Sequence, residues 1–415
     1  MTDTTVRLTV ESLGNRVGGI AGGGPLGKVF VKGALPGERV ACRIVSQRKT
    51  YAEAELLEVL EASPDRSEPF CRYYGDCGGC SLQHLDYSAQ LKWKRTWIER
   101  ALDRGGITCP VIGDVTPSPE TLGYRNRVSF DITLGRPGLH RFRGDVMPVD
   151  GCPLLNGRGS EAFSLLEAME LESYRRVSIR ASDSTHDAML EFLPLTVASV
   201  PGETGCMDTS VAWLDNAVWR TRPPGSHLRE RINDCLFDVA PGGFFQVNSR
   251  AAGLLVRRVV DACQGAERVL DLYGGHGTFA IPLALRGSSV DSVEISEAAS
   301  VAGRRSAEIN GADSVRFVTS PARSFLMETV KGDSSWDAIV VDPPRTGLET
   351  RIARLLRRVH SGKLVYVSCD PFALARDLRV LVGGGWILRE VHPVDMFPQT
   401  DHVETVAILL PGRES

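Results

Sequence analysis

The chain has 415 residues, of which 42% are hydrophobic and 24% charged, with a formal net charge of −3. That composition excludes disorder, collagen and coiled coil as the main architecture and suits about two to four globular domains. No run of 18 apolar residues occurs, and MTDTTVRLTVESLG lacks a basic stretch followed by an apolar one. Neither a spanning helix, a membrane partner nor a secretory signal is therefore expected, and the expected compartment is the cytoplasm. Ten cysteines there point to metal ligands, nucleophiles or core fillers rather than disulfides.

Residues 1–62 read as short strands with Gly-rich turns (VRLTVESL, KVFVKGAL, ERVACRIVSQ, YAEAELLEVL), the pattern of a small all-β barrel. Ser63-Pro64-Asp65 reads as a linker, and a Cys-rich loop follows at 71–80. Residues 86–104 carry Leu91, Trp97, Ile98, Ala101 and Leu102 at helical spacing. The stretch 115–240 is strand-like and irregular. From Glu267 onward, apolar strands alternate with helices, as in a doubly wound α/β domain. Three segments are basic. Arg16, Lys28, Lys32, Arg39, Arg43, Arg48 and Lys49 face Glu38 alone. Arg125, Arg127, Arg136, Arg141 and Arg143 face Asp131, and Lys92, Lys94, Arg95, Arg100 and Arg104 lie on or beside the helix. A single such segment can be a solvated face. Three together favour a polyanion partner, because phosphate contacts dominate nucleic-acid affinity.

The strand Arg268–Leu272 runs into Tyr273-Gly274-Gly275-His276-Gly277-Thr278 and then a helical FAIPLAL. Glycines there allow a tight turn and close backbone approach to a ligand. The next strand ends in Glu294, 17 residues after Gly277, an acid suited to a ribose diol. Alone, this fits a dinucleotide as well as S-adenosylmethionine (SAM). The strand Trp336–Val341 ends in Asp342-Pro343-Pro344-Arg345, a rigid polar turn typical of methyltransferases that act on planar nitrogenous rings. It favours SAM.

Strand Lys363–Val367 ends in Ser368-Cys369-Asp370-Pro371. A lone cysteine is usually a core filler, but this one is expected beside the Asp-Pro-Pro turn, where a catalytic thiolate would stand. The loop Phe397–Glu404 brings His402 and Glu404 back towards the same edge. Carbon methylation of a pyrimidine calls on this set. A thiolate adds at C6, the resulting enolate takes a methyl group at C5, and a base removes the C5 proton before the thiolate leaves. Cys71, Cys77 and Cys80, with Cys152 further on, suit a zinc ion or an iron–sulfur cluster. Cys42, Cys109, Cys206, Cys235 and Cys263 show no ligand spacing and read as fillers.

These motifs resemble the bacterial RNA uracil-C5 methyltransferases, particularly the 23S rRNA (uracil-5-)-methyltransferases with a TRAM domain and a [4Fe–4S] cluster. The likeness rests on SLGNRVGGIAGGG, CRYYGDCGGCSLQHLDYSAQLKWK, Phe244-Phe245-Gln246-Val247-Asn248, DPPRTGL, YVSCDPFALARDL and DMFPQTDHVE. It implies three parts: an OB-like TRAM barrel at 1–62, a central mixed α+β domain with the cluster at 63–238, and a Rossmann-like SAM-dependent methyltransferase domain at 239–415. The helix near 83–114 would pack on that last domain. It further implies Cys369 as nucleophile and Glu404 as base, and Cys71, Cys77, Cys80 and Cys152 as cluster ligands. Gln246, Tyr273, Glu294 and Asp342 would contact SAM. Thr278, which stands where the family often has Asn, is added to them. The implied partner is RNA, 23S rRNA first and tRNA as the alternative, with the chain monomeric. A non-catalytic RNA-binding or assembly protein would need none of Cys369, Glu404 and Asp342. An RNA cytosine-C5 methyltransferase would place its cysteine in a different motif.

Overall fold

The structure is a computed structural model and describes residues 5–142, 144–196, 209–332 and 334–412. Arg143 and Cys206 lie outside the described residues. The chain divides into two compact units, Met1–Ile98 with Gln399–Asp401, and Glu99–Pro398 with His402–Ser415.

In the first unit, β1 (Thr5–Gly14), β2 (Gly18–Gly22), β3 (Lys28–Lys32), β4 (Arg39–Gln47) and β5 (Tyr51–Glu61) close a barrel in the order β1-β2-β3-β5-β4. Alternate residues point inward, as the period of a strand dictates, so Val29, Val31, Val40, Cys42, Ala52 and Ala54 fill the interior. A second apolar cluster joins Leu13 and Leu35 to Leu82, Leu85, Ala89 and Trp97, and the Trp97 indole donates to Leu13 O at 3.0 Å. Glu38, the lone acid of the first basic segment, is fully buried and pairs with Arg66 at 2.5 Å. Gln399–Asp401 is held by the Cys-rich segment. The Ser81 and Leu82 amides both donate to Gln399 O at 3.0 Å, and the Asp401 amide donates to Ser81 Oγ at 3.0 Å.

The helix α1 (Tyr87–Gly105) is followed by β6 (Val111–Ile112). In the second unit, the irregular-looking stretch is a seven-stranded sheet ordered β13-β12-β11-β10-β7-β8-β9. Its strands are β7 (Arg127–Thr133), β8 (Arg136–His140), β9 (Val146–Pro148), β10 (Tyr174–Ala181), β11 (Ala188–Pro194), β12 (Thr209–Asp215) and β13 (Val218–Arg222). α2 (Gly157–Leu165) packs on β10 and β11. A hairpin of β14 (Leu228–Ile232) and β15 (Cys235–Val239) leads to α3 (Ser249–Ala262).

The alternating pattern after Glu267 builds an eight-stranded sheet ordered β18-β17-β16-β20-β22-β24-β23-β6. In chain order it contains β16 (Arg268–Leu272), α4 (Ala280–Leu285), β17 (Ser289–Glu294), α5 (Glu297–Asn310), β18 (Val315–Thr319) and α6 (Ala322–Thr329). A short β19 (Ser335–Trp336) precedes β20 (Ala338–Val341), then α7 (Thr350–Leu356), β21 (His360–Ser361), β22 (Leu364–Ser368), α8 (Pro371–Val382), β23 (Trp386–Val394) and β24 (Glu404–Pro411). The expected strand 336–341 is thus broken at Asp337, whose carboxylate accepts from the Glu267 and Arg268 amides. Strands β16, β17, β18, β20 and β22 are parallel, while β24 runs antiparallel to β22. β6 adds to β23 at the far edge. Met189 and Ala212 of the seven-stranded sheet share one apolar core with α3, α4 and the eight-stranded sheet.

Candidate active site

Ligands in such sheets bind beyond the carboxyl ends of the strands. Strand register brings three of the expected residues to that edge. β22 and β24 pair antiparallel from Leu364↔Leu409 to Ser368↔Thr405. Cys369 follows and Glu404 precedes that last pair, and the Glu404 carboxylate is close enough to act on the thiol. The neighbouring β20 pairs with β22 up to Val341↔Tyr366, and Asp342 is the next residue out. Asp370 anchors the turn after the cysteine as the N-cap of α8, accepting from the Phe372 and Ala373 amides at 2.9 Å each. Gly347 closes the Asp-Pro-Pro loop at φ +74°, where an added Cβ would strike Asp377. That carboxylate accepts from Leu348 N at 2.6 Å and from the Tyr366 hydroxyl at 2.7 Å.

The three groups are electrostatically coupled. Burial raises the Cys369 thiol to about 12, Glu404 and Asp342 push it the same way, and Arg345 opposes them. Burial and then Asp342 carry the Glu404 carboxyl well above its usual range, again against Arg345. Burial lifts Asp342 to about 7. Glu404 is buried, and its Oε2 has no hydrogen-bond partner among the described residues. A buried acid with an unpartnered oxygen beside a thiol is the arrangement expected where a ligand completes the polar contacts.

The glycine-rich turn fits SAM. Gly275 and Gly277 have positive φ, and a Cβ on Gly274 would collide with the Ser292 hydroxyl. Tyr273 also has φ 64°, and burial raises its phenol to about 12. Glu294 accepts from Gly275 N at 3.1 Å and from Ser296 N at 2.8 Å, so it braces the turn. Thr278 is partly buried in the same turn. Asp271, fully buried on β16, has both carboxyl oxygens without a partner among the described residues; the Ser292 hydroxyl and Ala280 amide lie near without well-aligned bonds. Burial, Asp342 and Glu294 raise its pKa. The sequence signal for Asp271 is an acid inside the apolar strand RVLDL.

Gln246 is buried and positioned by long-range bonds invisible in the sequence. The Asn126 side chain donates to Gln246 O at 2.8 Å, to Ser249 Oγ at 2.9 Å and to Glu230 at 3.1 Å, while its amide donates to Val247 O at 2.9 Å. Arg180, also buried, donates to Gly243 O at 2.6 Å and to Glu191, which accepts from Gly242 N at 3.0 Å. Asn248 serves as the N-cap of α3, accepting from Ala251 N at 3.0 Å and donating to Ser118 Oγ and Met396 O.

Cys71, Cys77 and Cys80 are partly exposed on one loop, and Cys77 Sγ accepts from Gly79 N at 3.4 Å. Among the described residues, no three His, Cys, Asp or Glu side chains gather tightly enough to hold an ion. The donor chemistry nevertheless fits: three thiols within ten residues, one already accepting an amide hydrogen bond. Cys152 belongs to the other unit, after Gly151 with φ 140°. Cys42, Cys235 and Cys263 are buried fillers as expected, whereas Cys109 is partly exposed.

The basic segments are weaker than their residue counts suggest. Arg39 and Arg43 pair across the barrel with Glu61 and Glu55 of β5. Arg127, Arg136 and Arg141 pair with Glu191, Asp150 and Asp145. Lys94 is fully buried on α1.

Residues 227–411 match the family described as tRNA (Uracil-5-)-methyltransferase, and residues 1–57 match the TRAM domain. A protein of Pyrococcus abyssi named tRNA (uracil(54)-C(5))-methyltransferase is 34% identical over 94% of this chain and 97% of its own length. An RNA methyltransferase of uncharacterised role from Aquifex aeolicus is 32% identical over 99% of both chains. The crystal structure of the Pyrococcus abyssi tRNA (uracil-54, C5)-methyltransferase with S-adenosyl-L-homocysteine superposes with a TM-score of 0.79 at 30% identity, covering 98% of this chain and 100% of that one. With its barrel, its glycine-rich turn and its Cys369–Glu404–Asp342 edge, the chain belongs to the RNA uracil-5-methyltransferases that carry a TRAM domain, SAM-dependent enzymes that methylate uracil C5 in RNA.

Proposed function

We propose that Cys369 is the nucleophile and Glu404 the general base in the methylation of one uridine of a structured RNA. The observation that carries this is the β22–β24 register, which brings the two residues to one strand edge with Asp342 close by. When bound, SAM supplies an electrophilic methyl group. Cys369 loses its thiol proton to solvent, helped by Arg345, and its sulfur adds to C6 of the uracil. The electron pair moves to the O4 enolate. Asp342, held near 7 by burial, keeps a proton over part of the neutral range and can donate it as a hydrogen bond to that oxygen. C5 becomes methylated, Glu404 removes the C5 proton, and the carbon–sulfur bond breaks to restore the thiolate. Burial and Asp342 raise the Glu404 carboxyl above the usual carboxylate range, which makes its ionised form a stronger proton acceptor. Gln246, Tyr273, Thr278, Glu294 and Asp342 would hold SAM.

Cys71, Cys77, Cys80 and Cys152 would ligate a [4Fe–4S] cluster, whose chemistry here is to cross-link its segment of chain. The purified protein is then brown, and Cys152→Ser loses iron. A colourless protein with stoichiometric zinc overturns the iron assignment.

The RNA class has two readings. The 23S rRNA reading is supported by the TRAM barrel combined with the Cys-rich loop. The tRNA reading is favoured by the Pyrococcus abyssi relative, whose alignment over 94% of this chain must include much of the barrel. A TRAM domain therefore does not separate the two. Mapping 5-methyluridine by mass spectrometry in 23S rRNA and tRNA, with and without the enzyme, decides between them. The covalent roles are tested with Cys369→Ala and Glu404→Gln. The first should give no product and no adduct. The second should accumulate a methylated protein–RNA conjugate that survives denaturing electrophoresis, with turnover reduced about 10²–10⁴-fold. Methylation by Cys369→Ala, or unmethylated free RNA with Glu404→Gln, would make these roles wrong.

A further inference from the structure

Helices α6 and α7 pack together, and α6 lies against β17 of the eight-stranded sheet. Between them runs a groove of about 440 Å³ lined by Arg323, Lys331, Arg351, Arg354 and Arg358 around Met327, Val330 and Leu355. The five cations are exposed, and none has an ion-pair partner among the described residues. This contrasts with the arginines of 39–43 and 127–141, which are paired. Arg351 and Arg354 stand three residues apart on α7 and so share one helical face, and Arg358 lies in the turn that follows the helix. The acids of these helices look elsewhere. Glu328 lines a separate cavity with Arg268 and Arg316, and Glu349 stands close enough to Tyr273 to raise its pKa.

Chain connectivity ties the groove to the reacting edge. α7 starts directly after the Asp342-Pro343-Pro344-Arg345 loop, and its Arg351 lies nine residues beyond Asp342. A row of unpaired guanidinium groups leading away from a site that must receive a uridine matches a phosphate backbone better than any neutral ligand. We propose that the α6–α7 groove binds the backbone of the substrate RNA beside the methylated uridine, a proposal that rests on the RNA reading above.

The test uses full-length protein with Arg351→Gln/Arg354→Gln/Arg358→Gln. RNA affinity is read by fluorescence anisotropy on a transcript that wild type methylates, over a salt series. SAM affinity is read by calorimetry. The expected result is an RNA affinity lower by roughly 10–100-fold and a log–log salt slope shallower by about two to three, with SAM affinity unchanged. An equal loss of charge at Arg286, Arg304 and Arg389, exposed residues outside the groove, should change RNA affinity far less. An unchanged slope, an equal effect from that second triple, or loss of polyglutamate binding with RNA affinity intact each overturns the proposal, the last by assigning the groove to an acidic protein. Failure of wild type to methylate any RNA would instead overturn the function, so the two failures are distinguishable.

Discussion

At Asp342, burial alone carries a carboxyl from its ordinary 3.8 to about 7. The folded state therefore binds this proton more tightly than the unfolded chain. Its contribution to stability is fully present below about pH 4 and is lost as the pH rises through about 7. Asp342→Asn removes the titration, so its melting temperature should exceed that of wild type at pH 8, with the gap closing towards pH 4. Calorimetry across that range checks this, and a gap independent of pH would contradict it. Asparagine still donates a hydrogen bond, whereas alanine cannot. Asp342→Ala should consequently lose about 10²–10³-fold in methylation rate, and Asp342→Asn less. Such costs are typical where function overrides stability.

At the scale of elements, the loop before α3 is gripped from the seven-stranded sheet. Asn126 on the approach to β7 and Arg180 on β10 both bond to main-chain carbonyls between Gly243 and Val247. Asn126→Ala leaves Glu230 and Gln246 O without that donor in a buried setting, a cost of about 1–3 kcal/mol. Denaturant unfolding should show the loss. If the loop positions Gln246, SAM affinity measured on the folded fraction should fall as well, and Asn126→Gln should restore neither, because its longer side chain cannot keep the same donors in place. Gly347→Ala tests the other loop. It forces a side chain into the left-handed region, at about 1–2 kcal/mol, and into Asp377. Slower methylation with an intact fold is the expected outcome.

Across the molecule, charge is reorganised by pairing. The barrel's basic segment looked nearly unopposed because its acids lie on the next strand, and β4 and β5 bring Arg43 to Glu55 and Arg39 to Glu61. Lys28, Arg48 and Lys49 remain exposed and without ion-pair partners among the described residues. Their triple change to Gln should weaken RNA binding roughly tenfold at moderate salt while SAM binding stays normal. Deleting residues 1–62 would be a poorer test, since it strips Leu13 and Leu35 from the cluster around Trp97. That truncation should lower the melting temperature sharply and expose Trp97, which its fluorescence would report.

Local chemistry was legible in the sequence wherever a motif is contiguous. The barrel strands, the helix at 87–105, the glycine-rich turn with Glu294, and the loops bearing Asp342 and Cys369 all follow from period, turn residues and strand-end position. Contacts between distant segments were not legible, because hydrogen bonds and register leave no local pattern. Asn126 reaches residues 120 positions away at Gln246, and the seven-stranded sheet inserts β7 between β10 and β8. Glu404 could be named from its neighbours, but only antiparallel pairing of β24 with β22 brings it to the edge where Cys369 stands. Likewise a count of arginines records charge, whereas folding decides which of them are neutralised: those facing acids within the same sheet are, and those on α7 are not.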